Sequence, residues 1–246
     1  MKNEQTTMGG KEGLFPKTRW TVLNNLSEIQ SPQYRENLNF FISEYWKPAY
    51  CYIYKSWNTT NEEAKDLTQS FFISILERKT LENLSPTKGS FRSFVKACLK
   101  NFLLQHDRDS SRLKRGGTSQ NISINWNETE NIQFEDHKTL QPDEVFDNEW
   151  TATLIKNGTK KLEQQLNKDG KIIYFKIFSD FYFSDTNELS YDHMSQKYKI
   201  SKIDVGNYMK AARKMFKDII KEMIMEYVDN EDEFNREFRA LFGAKL

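Results

Sequence analysis

Along most of the chain, apolar residues recur at steps of three and four positions, the spacing of helices that bury one face. The first half predicts three such helices. Their inward positions are Tyr34, Leu38, Phe41, Ile42 and Tyr45, then Leu67, Phe71, Phe72, Ile75 and Leu76, and then Phe91, Phe94, Val95, Cys98, Leu99, Phe102 and Leu103. We expect Pro48 to interrupt or restart the first helix, and Thr60 with Glu63 predicts a capping box before the second.

The second half of the chain predicts further helices after a polar, acidic stretch that has no period. Helices resume near Asp147, continue through the aromatic segment 172–183, form a pair between Ser190 and about Val228, and end in a short terminal helix. The sequence therefore predicts an all-α protein of two helical modules, 15–115 and 147–228, joined by an acidic linker at 116–146. Residues 1–14 are expected to be disordered, and 229–246 to be a C-terminal extension.

Charge is segregated along the chain, although the formal net charge is only +1. Between Lys88 and Arg115, eight cations face only two anions, Asp107 and Asp109, so this predicted helix carries about six positive charges. From Gly116 to Trp150, eight acids face Lys138 alone. A basic helix suits a polyanion, because each neutralised phosphate releases counterions. The alternative is a solvated core helix whose cations only keep it soluble.

Cysteine usage and hydropathy bear on the compartment. Cys51 and Cys98 both lie in apolar helical patterns, which predicts two buried thiols and a reducing compartment rather than a disulfide. No apolar run approaches the length of a membrane span, and the polar start has no signal-peptide core. We therefore expect a soluble, cytoplasmic protein without a membrane partner.

Catalytic and metal-binding patterns are weak in this sequence. The three histidines, His106, His137 and His193, share no spacing with a nucleophile or a metal ligand, and no P-loop pattern occurs. Asp107 and Asp109 could suggest a metal pair, but no further ligand joins them locally. The expectation is a protein that is not an enzyme and that needs neither metal nor cofactor.

The segment from Ser190 to Met209 has the layout of a helix-turn-helix. Ser190 caps a first helix, Ile200 fills the turn, and Ser201 with Asp204 caps a second helix. Five outward residues of the second helix could reach phosphates and base edges in a major groove: Lys202, Asn207, Lys210, Arg213 and Lys214. Two amphipathic helices joined by a short turn also occur in ordinary cores. Lys199, where a turn glycine is usual, and Gly206, inside a helix, both weaken the pattern.

Taken in this order, these segments resemble a bacterial RNA polymerase sigma factor of the extracytoplasmic-function type. Residues 61–72 are similar to the family's acidic "DAEDLxQE-x-F" helix, and 89–102 resemble its "F-R-x-W/F-L…A-R-N" helix. Residues 190–214 align without a gap to the segment that reads the −35 element. Residues 15–20, Phe-Pro-Lys-Thr-Arg-Trp, resemble the "FPxTRW" opening of a subgroup with long C-terminal tails, and the tail at 232–242 fits that subgroup. The likeness covers roughly residues 15–242.

The resemblance implies a role in transcription initiation, with core RNA polymerase (through its β′ clamp helices and β flap) and promoter DNA as partners. It also allows an anti-sigma factor. The polymerase-binding residues would be Glu63, Asp66, Leu67, Gln69, Phe71 and Phe72. Those at the −10 element, where the helix would promote strand opening, would be Arg92, Lys96, Lys100, Asn101, Gln105, Arg108, Arg112, Lys114 and Arg115. Those at the −35 element would be Ser201, Lys202, Asn207, Lys210, Arg213 and Lys214.

The chain departs from the family pattern at three positions. Ser70 replaces an acid of the polymerase-binding helix, and Gly206 and Tyr208 replace basic positions of the recognition helix. Promoter choice is therefore expected to differ from that of other members. The rival interpretation is a stand-alone helix-turn-helix regulator that contacts DNA only through residues 190–214. An enzyme acting on nucleic acid would need a catalytic cluster, which the sequence does not offer.

Overall fold

The computed structural model describes residues 34–57, 59–77, 90–110, 140–184 and 190–243, and every regular element in these ranges is an α-helix. The predicted all-α class is confirmed for them. The eight helices are α1 (Tyr34–Trp57), α2 (Asn61–Glu77), α3 (Phe91–Ser110), α4 (Pro142–Lys168), α5 (Ile172–Phe183), α6 (Tyr191–Tyr198), α7 (Lys202–Met225) and α8 (Glu231–Phe242). The expected disordered start, the "FPxTRW" segment and most of the predicted linker lie outside the described residues.

Pro48 lies inside α1, which runs without a break from Tyr34 to Trp57. The expected interruption is therefore wrong. Proline inside a helix removes one hydrogen bond and costs about 3 kcal/mol. Ten of the thirteen residues from Phe41 to Ile53 are buried, on both sides of Pro48. Because burial of these large side chains stabilises α1 on either side of the proline, tertiary packing outweighs the local penalty.

Helix α4 begins at Pro142, five residues before the expected resumption at Asp147. The backbone N–H of Gln141 donates to Glu144 Oε2 at 2.8 Å, and Pro142 occupies the first turn, where its missing N–H costs nothing. Asp143 and Glu144 face the positive end of the helix dipole. The last residues of the predicted acidic linker are thus the first turn of a helix.

Helix α4 packs against α1 on one side and against α7 on the other, so the described helices share one continuous apolar core. Trp150 of α4 lies at its centre and is 3 % exposed. Its ring stacks on Tyr45 of α1 with a centroid distance of 4.9 Å and meets the ring of Tyr227, after α7, at 5.9 Å. The division into two modules stays a prediction, but α4 contacts helices of both.

The two cysteines are free thiols; Cys51 is buried and Cys98 is half-buried. Burial raises the pKa of the Cys51 thiol, and the nearby carboxylate of Glu149 raises it further, against a smaller lowering by Lys47.

In the described ranges, none of the helices has the length and apolar character that crossing a membrane requires.

Candidate nucleic-acid interface

Helix α3 presents a polar, partly cationic face to solvent. Its inner face, formed by Phe91, Val95, Leu99 and Leu103, is buried against α1 and α2. The exposed residues recur at helical spacing on the other side and include one acid: Ser93, Ala97, Lys100, Asn101, Leu104, Gln105, Asp107 and Arg108. Four of the residues expected at the −10 element, Lys100, Asn101, Gln105 and Arg108, therefore share one exposed helix face. Arg112, Lys114 and Arg115 lie outside the described residues.

Arg92 does not belong to this face, which corrects the prediction for this residue. Arg92 is 5 % exposed, and its Nε and Nη2 donate to the two carboxylate oxygens of Glu237 at 2.6 and 3.0 Å. Its Nη1 donates to Asp147. Burial by itself would lower the pKa of Arg92, but the hydrogen bonds and negative charges of Glu237 and Asp147 outweigh burial and raise it. Arg92 ties α3 to α4 and α8.

Lys96 is half-buried, and its Nζ donates to Asp147 Oδ2 at 3.0 Å. Asp147 of α4 thus binds two of the cations expected at the −10 element, Arg92 and Lys96. The positive charge on the outer face of α3 is consequently smaller than the sequence indicated, and its described cations are Lys100 and Arg108. The acids were invisible to sequence reasoning because they are 55 and 145 positions from Arg92 along the chain.

Helix α2 contributes the expected acidic surface only in part. Glu63 and Asp66 are exposed, and Leu67 and Gln69 are half-buried. Phe71 and Phe72 are 0 % exposed and pack against each other at 5.3 Å, so they are core residues and present no surface to a partner. This corrects their assignment to the docking set. The apolar period had already placed both phenylalanines inward.

The predicted capping box of α2 is confirmed. Glu63 Oε2 accepts from the backbone N–H of Thr60 at 3.1 Å, and the N–H of Glu63 donates to Thr60 Oγ1 at 3.3 Å. The hydroxyl of Thr59 also donates to Glu63 at 2.5 Å. Hydrogen bonds from Thr59 and Thr60 lower the pKa of Glu63. Glu63 thus caps the start of the helix. Asp66, the other acid expected to bind the polymerase, is exposed on the outer face of α2.

The helix-turn-helix has the predicted caps. Ser190 Oγ accepts from the N–H of His193 at 3.1 Å, and Ser201 Oγ accepts from the N–H of Asp204 at 3.0 Å. Met194 of α6 and Val205 and Met209 of α7 are buried between the helices. Lys199 ends α6 in the left-handed conformation, with φ of 54°. These contacts hold α6 and α7 in a fixed mutual orientation.

Helix α5 braces the pair from behind. Asp180 of α5 accepts from Lys197 Nζ at 2.5 Å and from the Tyr198 hydroxyl at 2.6 Å. Partial burial would raise the pKa of Asp180, but these bonds and the charge of Lys197 lower it overall. Tyr208 of α7, which stands at a basic position of the family pattern, stacks on Tyr174 of α5 with centroids 4.1 Å apart. Its role here is packing.

All six residues expected at the −35 element are exposed: Ser201, Lys202, Asn207, Lys210, Arg213 and Lys214. Lys202 forms an ion pair with Asp192 of α6, and the Arg213 guanidinium lies over the rings of Phe181 and Tyr182.

Sequence reasoning missed Ile203, which is 76 % exposed in the first turn of α7 between Lys202 and Asn207. An isoleucine left in water at this point could contact the methyl group of thymine. Its position on the outer face of the predicted helix was the available signal.

The strained turn at Lys199 gives a stability prediction. A non-glycine residue in the left-handed region costs roughly 1–2 kcal/mol of folding free energy. Glycine removes this cost, but it offsets part of the gain because it increases the conformational entropy of the unfolded chain. We expect Lys199→Gly to raise the free energy of unfolding by about 0.5–1 kcal/mol, measured by urea titration. The matched change Lys160→Gly, at an exposed position inside α4, should lower it by about 1 kcal/mol. If both changes destabilise equally, the turn is not strained.

No protein family, curated protein or solved structure matches the chain. Within the ranges that the structure describes, no group of three or more histidine, cysteine or acidic residues is arranged to hold a metal ion. The features of this chain that bear on function are therefore the exposed faces of α2, α3, α6 and α7.

Proposed function

We propose that this protein is a sigma-type specificity subunit that binds core RNA polymerase and directs it to promoters. The observation that carries the proposal is the presence of two exposed polar, cationic helix faces on one chain, the outer faces of α3 and α7. Their order along the chain agrees with the family that the sequence resembles. The proposal extends to a cytoplasmic protein that acts by binding and catalyses no reaction.

The face of α7 suits a major groove. Ile203 and Asn207 lie in its first two turns, where a recognition helix meets base edges, and Lys210 and Lys214 continue along the same side towards the phosphates. Asparagine pairs with adenine through two hydrogen bonds, and an aliphatic side chain contacts the methyl group of thymine. We therefore propose that α7 reads the upstream promoter element in duplex form.

The face of α3 suits an opened strand. Asn101 and Gln105 are exposed one turn apart, with Lys100 and Arg108 on either side. Amide side chains hydrogen-bond to the edges of unstacked bases, and the cations neutralise the backbone. Capture of an unpaired base offsets a few kcal/mol of unpairing, so binding alone would favour strand opening. Asp66 on the exposed side of α2 would contribute to docking on the polymerase.

The second candidate is a stand-alone helix-turn-helix regulator, and one observation favours it. Arg92 and Lys96 are engaged by Glu237 and Asp147, which reduces the charge that α3 offers to a nucleic acid. A regulator would need only α6 and α7. The two proposals differ in what α3 does and in whether core polymerase is required.

Run-off transcription with core polymerase on a genomic library tests the proposal, followed by mapping of strand opening with permanganate. We expect the α3 variant Lys100→Gln with Asn101→Ala to reduce open complexes by about tenfold or more, since each good base contact is worth about 1–3 kcal/mol. Duplex binding by the free chain should not change. The α7 variant Asn207→Ala with Lys210→Gln should reduce both the yield of open complexes and duplex binding by the free chain.

The control variant is Lys160→Gln, which removes an exposed lysine from α4 and should behave as the wild type. If none of the promoters in the library is transcribed and the chain alone binds duplex tightly, the sigma proposal is overturned and the regulator is supported. An α3 variant with normal open complexes would remove α3 from the mechanism even if transcription occurs.

A further inference from the structure

A pocket of about 420 Å³ lies where α4, α5 and α7 meet. Ile155, Phe178 and Phe216 provide its apolar walls, one residue from each helix. The volume lies within the range of about 300–1,000 Å³ that is typical of sites for small organic molecules. The caps, the turn and the core contacts of the helix-turn-helix do not involve this pocket.

Two large aromatic side chains at the pocket are left half in solvent. Tyr182 is 49 % exposed and Phe183 is 52 % exposed, and they are consecutive at the end of α5. Single exposed apolar residues are ordinary on protein surfaces, but adjacent ones beside a concave site indicate a binding surface. The pocket therefore offers apolar contact area to an occupant.

Two cations also line the pocket. Arg213 and Lys217 lie one turn apart on α7, and the Arg213 guanidinium is 5.4 and 5.5 Å from the ring centroids of Phe181 and Tyr182. The described residues that line the pocket include no aspartate or glutamate. An occupant with a negative end would therefore meet two positive side chains of α7.

We propose that this pocket binds a small amphipathic anion, a molecule with an aliphatic or aromatic body and a single carboxylate. The body would lie against Ile155, Phe178 and Phe216, and the carboxylate would meet Arg213 and Lys217. Arginine presents a planar pair of donors that matches a carboxylate, and its stacking over two rings keeps the guanidinium oriented. Neither a neutral apolar molecule nor a small polar anion would use both features.

The site also touches the DNA-facing helix, and this consequence rests on the proposed function. Arg213 belongs to the residues expected at the −35 element, so a bound carboxylate would compete with a phosphate for it. Coupling between two ligands is reciprocal, so the anion would weaken duplex binding and duplex would weaken anion binding. The pocket would then make promoter recognition sensitive to a metabolite.

Isothermal titration calorimetry of the full chain with decanoate, below its micelle concentration, tests the binding site without polymerase or DNA. We expect saturable binding of one decanoate per chain. Decyltrimethylammonium has the same aliphatic chain with the opposite charge, and acetate has the carboxylate without the body. Each should bind at least about tenfold more weakly than decanoate.

Two variants and one control locate the site. Arg213→Gln with Lys217→Gln should weaken decanoate about tenfold or more and remove the preference over decyltrimethylammonium. Ile155→Trp, which fills the pocket but keeps both cations, should also abolish binding. Lys160→Gln with Lys168→Gln removes two exposed charges from α4 and should bind decanoate as the wild type does.

Equal affinity for decanoate and decyltrimethylammonium, no saturable binding, or undiminished binding by both pocket variants would overturn the proposal. Fluorescence anisotropy of a labelled duplex then tests the coupling separately. Decanoate should lower duplex affinity in the wild type but not in the Ile155→Trp variant. Decanoate binding without any effect on DNA leaves the pocket assignment correct and counts against the role of Arg213 in the proposed function.

Discussion

Replacing Arg92 with alanine is expected to lower the free energy of unfolding by about 3–5 kcal/mol, the usual cost of breaking a buried ion pair by removing one partner. The loss is large because Glu237 is 5 % exposed and would keep its charge inside the protein without the two hydrogen bonds that Arg92 donates. Urea titration monitored by circular dichroism measures the change.

Arg108→Ala is the matched control, because Arg108 lies on the same helix but is exposed. It should change stability by no more than about 0.5 kcal/mol. The double variant Arg92→Met with Glu237→Met removes both charges together and should recover most of the loss, since paired apolar replacements are often neutral. Equal stabilities of the Arg92→Ala and Arg108→Ala variants would show that Arg92 is not anchored by these acids.

The sequence predicts local features of this fold well. The caps by Thr60, Ser190 and Ser201 were readable because the residues that form each cap are at most three positions apart. The aromatic segment 172–183 was predicted with the bounds that α5 has. Helix periodicity also placed Phe71 and Phe72 inward. The family likeness then assigned them to docking, and here the periodicity was the better guide.

Features that depend on distant contacts could not be predicted. Arg92 lies beside Lys96 in a four-residue charge period, and only the fold shows that Glu237 and Asp147 reach it. Pro48 was predicted to break the helix because the energetic cost of proline inside a helix can be read from the sequence. The burial of α1 that outweighs this cost is known only from the structure. The predicted linker extended to residue 146 because the stretch is acidic and has no helical period. Its last residues, Pro142, Asp143 and Glu144, are also favourable in the first turn of a helix, and they begin α4.

Replacing Trp150 with alanine is expected to destabilise the chain by about 3–5 kcal/mol, the range for removing a buried aromatic side chain. The indole is in contact distance of Tyr45 of α1, Phe91 of α3 and Tyr227, which follows α7. It is therefore packed between the helices that carry the two proposed DNA-facing surfaces. Tyr182→Ala, which removes an aromatic ring that is half exposed, should cost no more than about 1 kcal/mol.

Hydrogen exchange of backbone amides shows whether this loss is shared along the chain. If α4 couples the two halves, Trp150→Ala should speed exchange in α3 and in α7 alike, because both would unfold in one cooperative transition. Acceleration confined to α7 would mean that the two predicted modules, 15–115 and 147–228, unfold as separate units. Uniform acceleration would instead make α4 the element that fixes the distance between the surfaces of α3 and α7. In the proposed function, that distance would match the spacing of two promoter elements.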